Sequence, residues 1–172
     1  MQEIDVKSLT VIGKGAHGTV YRLDDKRCIK VCKNEKHMQM EFAVLKHSER
    51  FPQFPRVYEC KGNYMIREYF DGPNAREYIQ KNGLSSSMCD KLIEIIDIFK
   101  ELGYTRLDCR FSHIIVIDGE QLKIIDPTRN MDKTADYPIK MLKGLDEFGY
   151  KEKFLSRVKE IRPEYYEAWK DK

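Results

Sequence analysis

Gly13-Lys14-Gly15-Ala16-His17-Gly18-Thr19-Val20-Tyr21 decides how the rest of the chain is read. Ser8-Leu9-Thr10-Val11-Ile12 runs into it as a β-prone segment. Three glycines at this spacing let backbone amides approach a phosphate with no side chain in the way. The same pattern also serves as a plain hairpin turn. The segment after the glycines discriminates between folds. A dinucleotide-binding unit opens a helix there, whereas Thr19-Val20-Tyr21-Arg22-Leu23 favours a strand. The loop should therefore join two antiparallel strands, with Asp24-Asp25-Lys26 as the next turn.

Arg27-Cys28-Ile29-Lys30-Val31-Cys32 reads as a third strand. Alternation puts Cys28, Lys30 and Cys32 on one face and Ile29 and Val31 on the other. A lysine in such a setting needs a partner, because a buried ammonium is costly unless paired. Glu41 comes eleven residues later, in a helical pattern with Met38, Phe42 and Leu45 on one face. It is either the partner of Lys30 or one more exposed helix acid. Further on, 56–60 and 63–67 read as a hairpin around Lys61-Gly62.

A second informative stretch spans 106–126. Arg106-Leu107-Asp108-Cys109-Arg110-Phe111-Ser112-His113 leads into the apolar run Ile114-Ile115-Val116-Ile117. Asp118-Gly119 turns the chain, and Leu122-Lys123-Ile124-Ile125 returns to end on Asp126. Asp-Gly between β-branched runs is a hairpin signal. Such a hairpin brings Asp108, His113 and Asp126 to one end of a small sheet. Carboxylates held by rigid strands suit metal binding and proton handling; ordinary surface charges on a loop are the alternative.

Taken together, Gly13-x-Gly15-x-x-Gly18-x-Val20, Lys30 and Glu41, in this order, resemble the N-terminal lobe of protein kinases. The resemblance implies an α+β, bilobal, protein kinase-like fold. Residues 1–67 would form a five-stranded antiparallel lobe with one helix, 68–73 a hinge, and 74–172 a reduced, mostly helical lobe. The function implied is an ATP-dependent phosphotransferase acting on Ser/Thr or on a small alcohol. Gly13, Gly15 and Gly18 would cover the phosphates, and Lys30, held by Glu41, would bind them. Val20 and Cys28 would roof the adenine, and the backbone at Glu68 and Phe70 would bind its edge. Arg67 would take the gatekeeper position. In the catalytic loop, 106–113, Asp108 matches the catalytic aspartate, Arg110 the lysine two residues on, and His113 the metal-binding asparagine. Asp126 matches the metal-binding aspartate of Asp-Phe-Gly. The overall pattern is similar to short bacterial serine/threonine kinases, particularly those of bacilli.

The departures are specific. Leu107 stands where the family has the arginine of His-Arg-Asp. His113 offers nitrogen where the family offers oxygen; Mg2+ prefers oxygen and Mn2+ tolerates nitrogen, so the metal would be either. Pro127-Thr128 replaces Phe-Gly, and 129–136 is short and polar where an activation segment is expected. Three helices come next by periodicity, at 137–148, at 151–161 and from Pro163, with Tyr166 and Trp169 packing in the last. A truncated second lobe would leave surface for a second copy or a partner. The changes at His113 and Pro127-Thr128 keep a second class in view, a nucleotide-binding pseudokinase that acts through partners.

Composition narrows the partners. Charges of both signs are interspersed and the net charge is only +3, which argues against a nucleic-acid or membrane-surface binder. No apolar run reaches transmembrane length, and Met1-Gln2-Glu3-Ile4-Asp5 is unlike a signal peptide. Five scattered cysteines, an odd number with no Cys-x-x-Cys, suggest reduced thiols in the cytoplasm. The phosphate acceptor, protein or small molecule, stays open at this level.

Overall fold

A computed structural model of the protein describes residues 5–131 and 133–172. Residues 1–4, part of the stretch compared with a signal peptide, and Asp132 of the polar stretch lie outside the described residues. The chain divides into two compact units, Met1–Asp71 and Gly72–Lys172. Among the described residues no helix is long and apolar enough to cross a membrane.

The first unit is a five-stranded antiparallel sheet with one long helix. Its strands are β1 (Val11–Lys14), β2 (Gly18–Arg22), β3 (Arg27–Cys32), β4 (Val57–Lys61) and β5 (Tyr64–Glu68), in the order β1-β2-β3-β5-β4. β3 is the central strand with β5 beside it, and Cys28, Ile29 and Lys30, and Met65, Ile66 and Arg67, are all buried. Helix α1 (Glu35–Ser48) is capped by Asn34, whose side chain accepts from His37 N at 2.9 Å. Its inward stripe is Met38, Glu41, Val44, Leu45 and Ser48. Phe42, expected inward, is only half-buried, because the stripe centres on Glu41. The first strand also starts later than its sequence suggests. Val6–Ser8 is a 3-10 turn, held by the Asp5 side chain on Lys7 N and by the Ser8 hydroxyl on Asp5 O.

Of the three glycines in the loop, space demands only Gly18. A Cβ there would sit 2.2 Å from Val31 O and 2.9 Å from Cys32 Cα, across the β2–β3 ladder. At Gly13 the nearest atom to such a Cβ is 3.8 Å away, and at Gly15 it is 4.0 Å away, which are ordinary contacts. Gly18→Ala is thus expected to cost about 3 kcal/mol of stability, the upper end for overpacking. Gly13→Ala and Gly15→Ala should be nearly neutral. Urea midpoints of the three variants check this ranking, and equal midpoints would refute it.

The second unit is mostly helical around a two-stranded hairpin. Helix α2 (Ala75–Asn82) opens with a reciprocal capping box between Asn74 and Glu77. Helix α3 (Ser86–Glu101) buries Met88, Leu92, Ile95, Ile96 and Phe99 and ends at Gly103, where φ is +70°. Its cap is Ser85, whose hydroxyl accepts from Met88 N at 2.9 Å. Strands β6 (Ile114–Ile117) and β7 (Gln121–Ile124) pair in register from Ile114↔Ile124 to Ile117↔Gln121. The turn between them holds three residues, 118–120, rather than the two expected. Glu120 sits at φ +58°, where its carboxylate accepts from Ser85 Oγ at 2.9 Å and from Tyr78 OH at 3.2 Å. Helices α4 (Ile139–Glu147), α5 (Lys151–Ile161) and α6 (Pro163–Trp169) complete the unit. Tyr165, not Tyr166, is the buried tyrosine of α6, stacked on Trp169 at 4.7 Å.

Candidate functional site

Each unit gathers its own candidate residues. In the first, β2 and β3 place Val20 opposite Lys30, and β1 and β2 place Gly13 opposite Val20. The loop closes through Gly15 N to Gly18 O at 2.9 Å. Its tip is tied down by Lys33 N donating to His17 O at 2.8 Å and by the edge of the His17 ring on His37 of α1. Lys30 is 9% exposed and Glu41 3%, and the ammonium bonds to Glu41 Oε2. The helix–strand ion pair anticipated from an eleven-residue spacing is therefore present and buried.

A second cation joins it. Arg67 on β5 is 4% exposed and lies opposite Cys28 on β3. The Cys28 thiol registers the whole group: burial pushes its pKa up, Arg67 opposes, Glu41 adds and Lys30 opposes. Among the described residues, Arg67 Nε and Glu41 Oε1 are buried with no hydrogen-bond partner. The group thus counts two cations to one carboxylate. Sequence reasoning named Arg67 but could not place its charge. Glu68 and Phe70 come at the end of the same strand. The Glu68 carbonyl accepts weakly from Cys28 Sγ at 3.8 Å, its carboxylate accepts from Arg56 N at 3.2 Å, and Phe70 is half-buried.

In the second unit the hairpin brings His113 and Asp126 to one end. Ile125 N donates to His113 O at 3.0 Å, which extends the ladder one residue beyond Ile114↔Ile124. Both side chains are half-buried. The Thr128 hydroxyl donates to Asp126 Oδ1 at 2.9 Å, and Asn130 N to Pro127 O at 2.9 Å closes a 3-10 turn over Thr128–Asn130. Pro127-Thr128 therefore orders the backbone just after Asp126. Arg110 is exposed and precedes the 3-10 turn Phe111–His113.

Asp108 is placed differently from a solvent-facing acid. It is 2% exposed, and both of its oxygens are engaged: Oδ2 by Arg106 Nη2 at 2.9 Å and Oδ1 by Lys140 N at 2.8 Å. Lys140 N belongs to the first turn of α4, so the carboxylate caps that helix. Next to it, the Cys109 thiol is pushed up to about 12, chiefly by burial and then by the charges of Asp108 and Asp126. The same field thus reaches Cys109 from both acids.

Asn130 is the residue the sequence did not reveal. It is 4% exposed, and its amide donates to Arg106 O at 2.7 Å and to Asp108 O at 3.1 Å. Leu107 N to Ala135 O at 2.8 Å and Ala135 N to Thr105 O at 3.0 Å add a parallel bridge. Asn130 and Ala135 therefore hold the loop 105–108 in place.

Metal fit is decided by the donor set. Among the described residues no group of three or more His, Cys, Asp and Glu is arranged to hold a metal ion. One carboxylate and one imidazole at the hairpin end suit a cation that takes its other ligands from phosphate and water. They do not make a closed zinc site.

Solved structures share this architecture. Over 69% of this chain and 37% of the other, it superposes on Rad53 residues 1–466 in complex with AMP-PNP, with a TM-score of 0.51 and 21% identity. The fold is protein kinase-like. The chain thus spans well under half the length of that neighbour. No protein-family model matches the sequence, and no curated protein does.

Proposed function

We propose that the protein is an ATP-dependent phosphotransferase that transfers the γ-phosphate to a hydroxyl acceptor. The observation that carries this reading is the buried Lys30–Glu41 pair inside a kinase-like sheet and helix. A buried ion pair is a poor device for stability alone, since desolvation offsets its attraction. A lysine held charged and oriented is what phosphate binding needs. The kinase-like neighbour in complex with a nucleotide analogue supports the same reading.

In this reading Gly13, Gly15 and Gly18 lay backbone over the phosphates, and Lys30 neutralises them. Val20 and Cys28 roof the base, and the backbone at Glu68 and Phe70 meets its edge. Asp126, with His113 beside it, would hold a Mg2+ or Mn2+ ion, which supplies charge neutralisation when bound. Arg110 steadies the transferred group. Asp108 orients the acceptor hydroxyl and takes its proton through a lone pair not used by Arg106 or Lys140. Five scattered cysteines, an odd number with no Cys-x-x-Cys, favour a cytoplasmic location.

A second reading has its own observation. Asp108 caps a helix and pairs with Arg106, as a purely structural carboxylate would in a nucleotide-binding pseudokinase. Radiolabelled ATP turnover and a nucleotide thermal-shift titration distinguish the two. The enzyme reading expects label transfer, and a metal-dependent shift that Asp126→Asn abolishes. A nucleotide shift without turnover leaves the pseudokinase. No shift with ATP and either metal overturns both.

A further inference from the structure

A cavity of about 450 Å³ opens within the second unit beside Asp108. It is lined by Arg106, Asp108, Arg110, Lys133, Thr134 and Lys140 among others. Its walls are built, not incidental. One is the loop that Asn130 and the Ala135 bridge fix; another is the first turn of α4, tied to Asp108 through Lys140 N.

The charge of this lining is one-sided. Among the described residues, four cations face one carboxylate. Arg106 and Asp108 neutralise each other in their ion pair. Among the described residues, Arg110, Lys133 and Lys140 have no carboxylate partner. Any one of them alone is an ordinary solvated side chain, and Arg110 and Lys133 are indeed exposed. Three share one concavity, and Lys140 carries the mark of its neighbours. Burial, then the charges of Arg110 and Arg106, hold its ammonium below the usual lysine range, with Asp108 opposing. An anion seated among them offsets those charges.

The size and shape select the kind of anion. The volume falls in the range of pockets that enclose a small molecule. A nucleic acid or a long acidic chain would call for a basic stripe over the surface, and this chain has a net charge of only +3 with its signs interspersed. A phosphomonoester dianion matches three unpaired cations better than a single carboxylate does, and the Thr134 hydroxyl adds a donor.

We propose that this cavity is the acceptor site, and that the acceptor is a small alcohol already carrying a phosphomonoester, held by Arg110, Lys133 and Lys140 with its hydroxyl toward Asp108. The inference rests on the phosphotransferase function proposed for the protein. In the transfer, the acceptor oxygen forms a bond to the γ-phosphorus of a nucleoside triphosphate. The bond from that phosphorus to the β–γ bridging oxygen breaks, and the nucleoside diphosphate leaves with the electron pair. The hydroxyl proton passes to Asp108 and on to water.

Binding without nucleotide tests the site apart from the reaction. Inorganic phosphate, glycerol 3-phosphate and O-phosphoserine are titrated into the full chain by calorimetry, with glycerol and serine as controls lacking the phosphate and an acidic peptide as competitor. The ATP thermal shift is recorded separately. Saturable binding of at least one phosphomonoester, tighter than its control and weakened tenfold or more in Lys133→Ala and in Lys140→Gln, is expected. Lys133 is exposed, so its variant keeps the fold whatever Lys140→Gln does. No binding by any of the three probes overturns the site. So does affinity unchanged in Lys133→Ala, and an acidic peptide that outcompetes every phosphomonoester overturns the small-molecule class. A protein that answers ATP but no phosphate probe loses this inference alone. One that binds the probes through Lys133 but ignores ATP keeps the site and loses the phosphotransferase reading.

Discussion

Asp108→Ala is expected to lower the folding stability by roughly 3–5 kcal/mol, whatever the phosphotransferase reading assigns to it in transfer. The side chain is 1% exposed and joins two elements, Arg106 in the loop and the first turn of α4. Removing it strands the Arg106 guanidinium, itself 16% exposed, without its counter-charge. It also leaves Lys140 N without an acceptor at a helix start, where an unpaired buried donor alone costs about 1–3 kcal/mol. Asp108→Asn separates the two roles. Its amide oxygen can still accept from Lys140 N, while its NH2 meets Arg106 Nη2 donor to donor, so the charge pairing and hydrogen bond to Arg106 are lost but the helix start keeps its acceptor, and the cost should fall to about 1–3 kcal/mol. Urea unfolding of both variants, followed by circular dichroism, measures this. An Asp108→Ala midpoint equal to wild type would show the carboxylate to be structurally idle. The consequence for enzymology is direct: lost turnover in Asp108→Ala alone assigns no chemistry, and the folded Asp108→Asn protein is the informative variant.

That double commitment was invisible in the sequence, because it depends on which backbone N–H faces the carboxylate 32 residues away. The legible part rests on local pattern. The β-prone residues after the glycines, the lysine in mid-strand and the Asp-Gly between apolar runs each specify geometry within a few residues. The Lys30–Glu41 contact was inferable because a buried ammonium demands a partner and Glu41 lay among the apolar residues of the next helix. The misreadings come from distant contacts. Ser85, the cap of α3, also binds Glu120, 35 residues on, through the same hydroxyl. The turn at 118–120 gains a residue because the same Glu120 is held there by Ser85 and Tyr78. Asn130 looked like one polar residue in a polar stretch, yet its amide holds two carbonyls of the loop. Lys133 belongs to that same polar stretch, and only the fold places it with Lys140 around Asp108.

The buried group of the first unit gives the other large effect, and here the order of two variants is the test. Glu41 faces Lys30 directly, while Arg67 lies across the ladder from Cys28, next to the same strand. Glu41→Leu leaves two buried cations and no anion. Lys30→Met leaves one cation, Arg67, and one carboxylate, whose Oε1 is already without a partner. Breaking a buried pair from one side costs about 3–5 kcal/mol. Glu41→Leu should sit at the top of that range and Lys30→Met below it, by about 1 kcal/mol or more. The double variant should recover part of the loss, since contacting partners are not additive and coupling of roughly 0.5–3 kcal/mol is usual. In the nucleotide-binding reading both single variants lose the ligand, so unfolding rather than binding ranks the two sides of the pair. Equal unfolding midpoints for Glu41→Leu and Lys30→Met would mean that Arg67 does not share the carboxylate's field. The two-cation account of this core would then fail, although the ion pair itself would stand.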